Sequence, residues 1–196
     1  HLGSGAEYLS KNHRQPFLES DQKTDNGLYA LSKKFASEYL KEITPKISSS
    51  IVSIKLFNIY GPGERNHRLF PSVFSKLSKN KEVNLSDGNQ LCDFLYIDDA
   101  VNAILHVASE CKTNNSSDEI NVCSGGEVSV KDFAIEIARK MNADQSLLKF
   151  GKIARRDTDK AMFVGNSEKL KKVYGWKQKY NISSGIEKYI TQFNKQ

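Results

Sequence analysis

The sequence lacks any long hydrophobic run. No stretch of about 18 apolar residues occurs among its 196 residues, so it predicts no membrane-spanning helix and no membrane partner. The first residues, from His1 to Tyr8, also lack the initiator methionine, basic segment and apolar core of a signal peptide. We therefore expect a chain that begins within a longer protein.

Cysteine is scarce. Cys92, Cys111 and Cys123 are the only three, and an odd number cannot pair completely. Their spacings of 19 and 12 positions match no zinc-binding pattern. The sequence thus predicts reduced thiols, a reducing compartment such as the cytoplasm, and no metal site.

Acidic residues are outnumbered: 29 Lys and Arg stand against 23 Asp and Glu, a net charge of +6. The basic pairs Lys33-Lys34, Arg155-Arg156 and Lys171-Lys172 lie in different segments. A diffuse excess is typical of a solvated surface or of a protein whose small ligand carries phosphates. A nucleic-acid binder would have only this charge in its favour, and we predict no nucleic-acid partner.

Helical and strand periodicities alternate along the chain. Strands are predicted over residues 51–57, 94–97 and 120–122, and helices over 28–43 and 70–77. Three more helices are predicted to begin at the caps Asp98, Ser129 and Ser184. With 38% apolar residues, the chain can bury the core of one domain or slightly more, and the alternation predicts an α/β fold.

The sharpest local motif is Tyr29-Ala-Leu-Ser-Lys33 on the first predicted helix. Residues four apart lie on one face of a helix, so the ammonium of Lys33 is expected near the Tyr29 hydroxyl. A nearby cation favours the phenolate and gives a group that exchanges a proton with a carbinol or a carbonyl. On its own, the spacing also fits a half-buried tyrosine beside a solvated lysine.

Four further segments occur in a fixed order around this motif. They are Gly3-Ser4-Gly5, Leu56–Pro62, Asp87–Asp99 and Gly175-Trp176. The ordered set resembles the extended short-chain dehydrogenase/reductase family, in particular its NAD-dependent nucleotide-sugar epimerases, dehydratases and ketoreductases. The resemblance runs from Ser4 to the terminal helix.

The resemblance implies roles for individual residues. Ser4, Tyr29 and Lys33 stand where the family has its catalytic residues, with Tyr29 and Lys33 also holding the nicotinamide ribose. Leu56 and Asn58 stand where the family lines the cofactor. The nucleotide-diphosphate sugar would contact Ser4, Asn58, Arg68, Leu69 and Arg156. A guanidinium such as that of Arg156 forks onto phosphate oxygens.

The resemblance also implies an architecture. Residues 1–65 would form part of a Rossmann-type parallel sheet. Residues 66–196 would form mainly the small substrate-binding subdomain, interleaved with late Rossmann elements. The glycine-rich turn that holds the dinucleotide pyrophosphate does not occur in the sequence, so we expect this chain alone to bind NAD or NADP poorly, and the choice between them stays open. The full-length protein is expected to be a homodimer through the helix over residues 28–43.

Departures from the family's usual residues reduce the number of reactions that the site is expected to catalyse. Cys92 replaces an arginine that commonly contacts the diphosphate. Gly5 and Ala6 replace the acidic residues of dehydratases, and Glu7 is expected on the opposite face of a strand, which disfavours dehydration. Ala6 and the offset His67 disfavour double epimerisation. A 4-ketoreductase or a 4-epimerase remains, with a non-catalytic binding subunit as the alternative.

Overall fold

The computed structural model describes residues 1–9, 15–24, 27–111, 116–155 and 160–194. Arg156, together with Thr158 and Asp159, lies outside the described residues. Within the described part of the chain, none of the helices is long and apolar enough to cross a membrane.

The first layer of the molecule is built on a three-stranded parallel sheet. Its strands are β1 (Leu2–Ser4), β2 (Ile51–Leu56) and β7 (Ser117–Val122), with β2 in the centre. Parallel neighbours need a crossover, and helix α1 (Leu28–Ile43) supplies it between β1 and β2. This α/β arrangement is the fold class that the sequence predicted.

The two faces of this sheet differ in chemistry, because successive strand residues point to opposite sides. Ile54 packs into an apolar core beneath α3 (Ile97–Glu110) and α5 (Glu168–Tyr174), where Trp176 is also buried. Lys55 points the other way, towards α1, and is fully buried there. One face of the sheet is thus apolar, and the other contains a buried cation.

A second layer is built from short strands and three helices. The strands are β3 (Asn58–Tyr60), β4 (Val83–Asn84), β5 (Leu91–Cys92), β6 (Phe94–Tyr96), β8 (Val128–Ser129), β9 (Leu148–Lys149) and β10 (Met162–Phe163). The helices are α2 (Leu69–Leu77), α4 (Val130–Lys140) and α6 (Ile182–Phe193). β3 pairs with β6, β4 pairs with β9, and β5 lies between β10 and β8. Their apolar side chains form a core rich in aromatic rings, with Phe133 fully buried in it.

Two of the predicted helix caps were wrong. The helix predicted to begin at Asp98 begins directly after β6, with Tyr96 as its cap, and Asp98 lies in the first turn. The last helix begins at Ile182, because the Asn181 side chain accepts a hydrogen bond from the amide of Ser184 at 2.9 Å. Ser129, by contrast, caps α4 as predicted, accepting from the amide of Asp132 at 2.9 Å.

Candidate active site

Ser4 ends the first strand of the sheet and is buried, with 8% of its surface exposed. A 3₁₀ turn, Gly5–Glu7, follows immediately. The Ser4 hydroxyl accepts from the amide of Ala6 at 3.2 Å, and the Ser4 amide donates to Glu7 Oε1 at 2.8 Å. These reciprocal bonds form a capping box that fixes the serine at the edge of the sheet.

Helix α1, which carries Tyr29 and Lys33, packs against β1 and this turn. Lys33 Nζ donates to the carbonyl oxygen of Leu2 at 3.0 Å. The Tyr29 side chain is 61% exposed on the first turn of α1. The structure therefore attaches Lys33 to β1 and leaves Tyr29 exposed on the adjoining helix.

A cleft of about 480 Å³ has Ala6, from the turn after Ser4, in its wall, whereas Ser4, Tyr29 and Lys33 are not among the residues that line it. Asn58, Arg68 and Leu69 line it, as three of the predicted substrate residues. Arg68 is the residue before α2, and Leu69 is its first residue. Leu56, predicted to line the cofactor, lies half-buried against the apolar core below the sheet.

Three buried polar atoms in the wall of the cleft lack a hydrogen-bond partner within the described residues. They are Asn58 Nδ2, Glu64 Oε2 and Gln90 Oε1. A buried polar group without a partner costs about 1–3 kcal/mol, so most such groups in proteins are paired. Asn58 Nδ2 is a donor and the other two atoms are acceptors, and all three residues line the same cavity.

Positive charge also reaches the cleft. Lys160 lines it, and its ammonium lies 4.9 Å from the Phe17 ring centre and 5.3 Å from that of Phe163. It donates to the carbonyl oxygen of Tyr8. Burial lowers the pKa of Lys160 to about 8, because the charged form loses its hydration. Burial also changes the pKa of Glu64, which is raised because the carboxylate loses its hydration. Arg68 opposes this increase, and its Nε donates to Glu64 Oε1 at 3.4 Å.

Glu7 was predicted on a strand, and this part of the prediction was wrong. The residue lies in the 3₁₀ turn, because the chain leaves the sheet directly after Ser4. Its side chain is fully buried and contacts the ammonium of Lys55. The carboxylate next along the chain from Ser4 is therefore paired inside the protein.

The surface that the resemblance assigns to the nicotinamide is exposed. At the start of α1, Leu28 and Tyr29 are 89% and 61% exposed, with Lys33 one turn further along, and this surface can receive a ribose and an aromatic ring. The Gly125-Gly126 turn is not a pyrophosphate cradle, because Asp93 already accepts from the amides of Ser124 and Gly125 at 2.8 and 2.7 Å. The first turn of α1 is thus accessible, and the binding of the nicotinamide by Tyr29 and Lys33 stays a prediction.

Metal chemistry has no donor set among the residues that the structure describes. No group of three or more His, Cys, Asp or Glu side chains converges there. Sequence reasoning missed Glu64, Gln90 and Lys160, which come from three distant segments and share no motif spacing. The signal that identifies them is burial beside a shared cavity.

The chain is similar in sequence and in fold to known proteins. Residues 1–123 match the model of the NAD dependent epimerase/dehydratase family. CDP-abequose synthase of Salmonella typhimurium is 31% identical over 164 residues, which cover 83% of this chain and 54% of the relative. dTDP-D-glucose 4,6-dehydratase of Mus musculus is 27% identical over 187 residues, covering 92% of this chain and 51% of the relative.

The chain spans about half the length of the curated relatives it matches. Among solved structures, UDP-glucose 4-epimerase of Thermotoga maritima with UDP-glucose superposes with a TM-score of 0.88 at 20% identity. The match covers 99% of this chain and 62% of that structure. At this identity, the likeness concerns the fold.

Proposed function

Because the chain belongs to the NAD-dependent epimerase/dehydratase family, we propose that it takes part in hydride transfer at C4 of a nucleotide-diphosphate sugar. The observation that carries this proposal is the cleft beside the Gly5–Glu7 turn, whose lining residues include three with buried unpartnered polar atoms and the desolvated Lys160. We assign residues 1–65 to the dinucleotide-binding unit. Residues 66–196 are assigned mainly to substrate binding, with β7 and α5 completing the sheet.

The chain's own residues divide the chemistry between them. A bound nicotinamide supplies or accepts the hydride. Tyr29 gives a proton to the sugar oxygen during reduction and takes it back during oxidation. Lys33, fixed on the Leu2 carbonyl, places a positive charge one helical turn from that hydroxyl. Ser4 shares a hydrogen bond with the same sugar oxygen.

Plain reduction or epimerisation at C4 fits this site better than dehydration. Dehydration needs an additional acid or base beside the serine. Gly5 and Ala6 offer none, and Glu7 is buried against Lys55. We favour a 4-ketoreductase slightly over a 4-epimerase; a binding subunit without turnover is the second candidate, because the chain spans half of its relatives.

The partner most compatible with α1 is a second copy of this chain. Phe35 and Tyr39 are 60% and 65% exposed one helical turn apart, whereas Leu40 is half-buried. Exposed aromatic side chains in such a row are typical of an interface. We propose that they contribute to a homodimer.

Asn58 tests the assignment of the cleft. We expect Asn58→Leu to weaken the binding of a nucleoside diphosphate at least about tenfold, because a hydrogen bond to a charged group contributes roughly 1.5–3 kcal/mol. The same change is expected to leave the free energy of unfolding unchanged or higher, since it removes a buried donor without a partner. Calorimetric titration with UDP, CDP, GDP and dTDP, together with urea unfolding, measures both quantities.

Asn102→Leu, at an exposed position on α3, is the matched control. It is expected to bind the preferred nucleotide as the unchanged protein does. Equal affinity in all three proteins would remove Asn58 from the ligand site.

Lys160 gives the cleft a pH dependence. Its pKa of about 8 lies below the ordinary value, so raising the pH through 8 removes the positive charge that faces the diphosphate. We expect nucleoside diphosphate affinity to fall up to about tenfold between pH 7 and pH 9, as one charge-assisted contact is lost. Lys160→Met should bind weakly at pH 7 and show a flat profile.

Lys152→Met, an exposed lysine in the same region of the chain, serves as the control and should keep the slope. If Lys160→Met retains the same slope as the unchanged protein, another group is responsible for it.

A further inference from the structure

A fully buried ion pair connects the turn after Ser4 with the middle of the sheet. Glu7 and Lys55 have no solvent-exposed surface, and the Lys55 ammonium contacts Glu7 Oε2. The same ammonium donates to Ser37 Oγ on α1 at 2.7 Å and lies 3.2 Å from Glu119 Oε1 on β7. One lysine thus joins the turn, the helix and two strands.

An ion pair of this kind contributes little net stability, because removing both charges from water costs as much as their attraction returns. Apolar side chains of similar volume would often hold the same layer together equally well. The pair instead fixes the orientation of the elements it joins, because each of its hydrogen bonds has a defined length and angle. Its value therefore lies in what it orients.

Each member of the ion pair is hydrogen-bonded to a proposed catalytic residue or to the helix that contains two of them. Glu7 Oε1, the oxygen not used by Lys55, accepts from the amide of Ser4 at 2.8 Å. Ser37 lies on α1 one helical turn beyond Lys33 and two turns beyond Tyr29. The serine and the tyrosine helix are accordingly tied to a single ammonium from opposite sides.

The backbone leaves room for this arrangement at Gly3. A Cβ atom there would lie 2.7 Å from Glu7 Oε1 and 3.1 Å from Lys55 Cδ. Any side chain at this position would displace the carboxylate that holds Ser4. The glycine and the ion pair thus form one unit.

We propose that Glu7 and Lys55 are positioning residues that set the separation between Ser4 and the helix carrying Tyr29 and Lys33. This inference rests on the proposed function, which gives Ser4 and Tyr29 their catalytic roles. Glu7 and Lys55 themselves are fully buried. They act through the Ser4 amide and through Ser37. Misplacing reacting groups by about 1 Å costs up to 10²-fold in rate, which is the scale on which such a device matters.

The test compares Glu7→Gln and Ser37→Ala with Glu38→Gln. Glu7→Gln keeps an oxygen acceptor for the Ser4 amide but loses the charge, and Ser37→Ala keeps the ion pair but releases the helix. Glu38, beside Ser37 on α1, is the matched control. Its side chain is 53% exposed, and its ion pair with Lys34 is long, at 3.9 Å. Each variant is assayed with NADH or NADPH and a nucleoside diphosphate 4-keto-6-deoxyhexose.

We expect kcat to fall about tenfold or more in Glu7→Gln and Ser37→Ala, with KM for the sugar nucleotide within about twofold. The amide signals of Ser4 and Tyr29 in ¹H–¹⁵N spectra should also shift in both variants. Glu38→Gln should change neither. A merely structural role would lower the active fraction and leave KM and kcat per folded molecule unchanged.

The amide signals separate the two possible failures. If the unchanged protein binds NADH or NADPH yet turns over none of these substrates, the proposed function fails, and shifted Ser4 and Tyr29 signals still report the coupling. If both signals stay in place in Ser37→Ala, or kcat matches that of Glu38→Gln, the positioning role is wrong. Ser37→Ala removes no charge, so it decides the matter even if Glu7→Gln does not fold.

Discussion

Replacing Tyr29 by phenylalanine is expected to lower turnover by about 10²–10⁴-fold, the usual contribution of a positioned acid or base. The ring stays in place and only the hydroxyl is lost, so nucleotide-sugar binding in the cleft should be nearly unchanged. The expectation follows from the position of Tyr29 on the exposed first turn of α1, one turn from the tethered Lys33. Steady-state oxidation of NADH or NADPH by a nucleoside diphosphate 4-keto-6-deoxyhexose measures it.

The same helix provides a matched control for this experiment. Tyr39 is 65% exposed, close to the 61% of Tyr29, but lies nearly three turns further along α1. Tyr39→Phe should retain the full rate. Turnover in Tyr29→Phe equal to that of Tyr39→Phe would exclude Tyr29 from proton transfer.

Phe133→Ala is expected to reduce the free energy of unfolding by about 3–5 kcal/mol, the cost of removing a buried aromatic side chain and leaving a cavity. Phe133 is fully buried on α4, with its ring centre 3.9 Å from that of Phe94 and 5.2 Å from that of Tyr60. It also lines the cleft, so the variant should bind nucleoside diphosphates more weakly. Urea unfolding followed by circular dichroism gives the stability difference.

Phe35→Ala removes the same side chain from an exposed position on α1, where 60% of the residue is open to solvent. It should change stability by less than about 1 kcal/mol at concentrations where the protein is monomeric. Similar losses in both variants would mean that the aromatic core does not determine the stability of this layer.

Periodicity was sufficient to predict the long elements. Helix α1 has the predicted bounds, Leu28 to Ile43, because its apolar residues repeat over four turns and Pro45 follows. Strands of two residues, such as β4 and β8, were not predicted, since two positions cannot display an alternation. The predictions for Asp98 and Ser184 failed because Tyr96 and Asn181 occupy the cap positions.

The motif with Tyr29 and Lys33 was predicted on the first helix, and the structure places it there. The spacing of Tyr29 and Lys33 places them one turn apart on this helix, and the resemblance adds Ser4; that the three form one catalytic site stays a prediction. Glu7 was misassigned because the turn after Ser4 has no sequence period. Lys160 and Gln90 could not be found from spacing, because only the pairing of β5 with β10 brings their segments together.

The most direct test of the account follows a label from cofactor to sugar. The protein is incubated with NADH or NADPH deuterated at C4 of the nicotinamide and with a nucleoside diphosphate 4-keto-6-deoxyhexose, and the product is examined by mass spectrometry and NMR. We expect one deuterium at C4 of the sugar, formed at least about a hundredfold more slowly by Tyr29→Phe. A protein that binds both NADH or NADPH and the sugar nucleotide yet transfers no deuterium to C4 would contradict hydride transfer as its function.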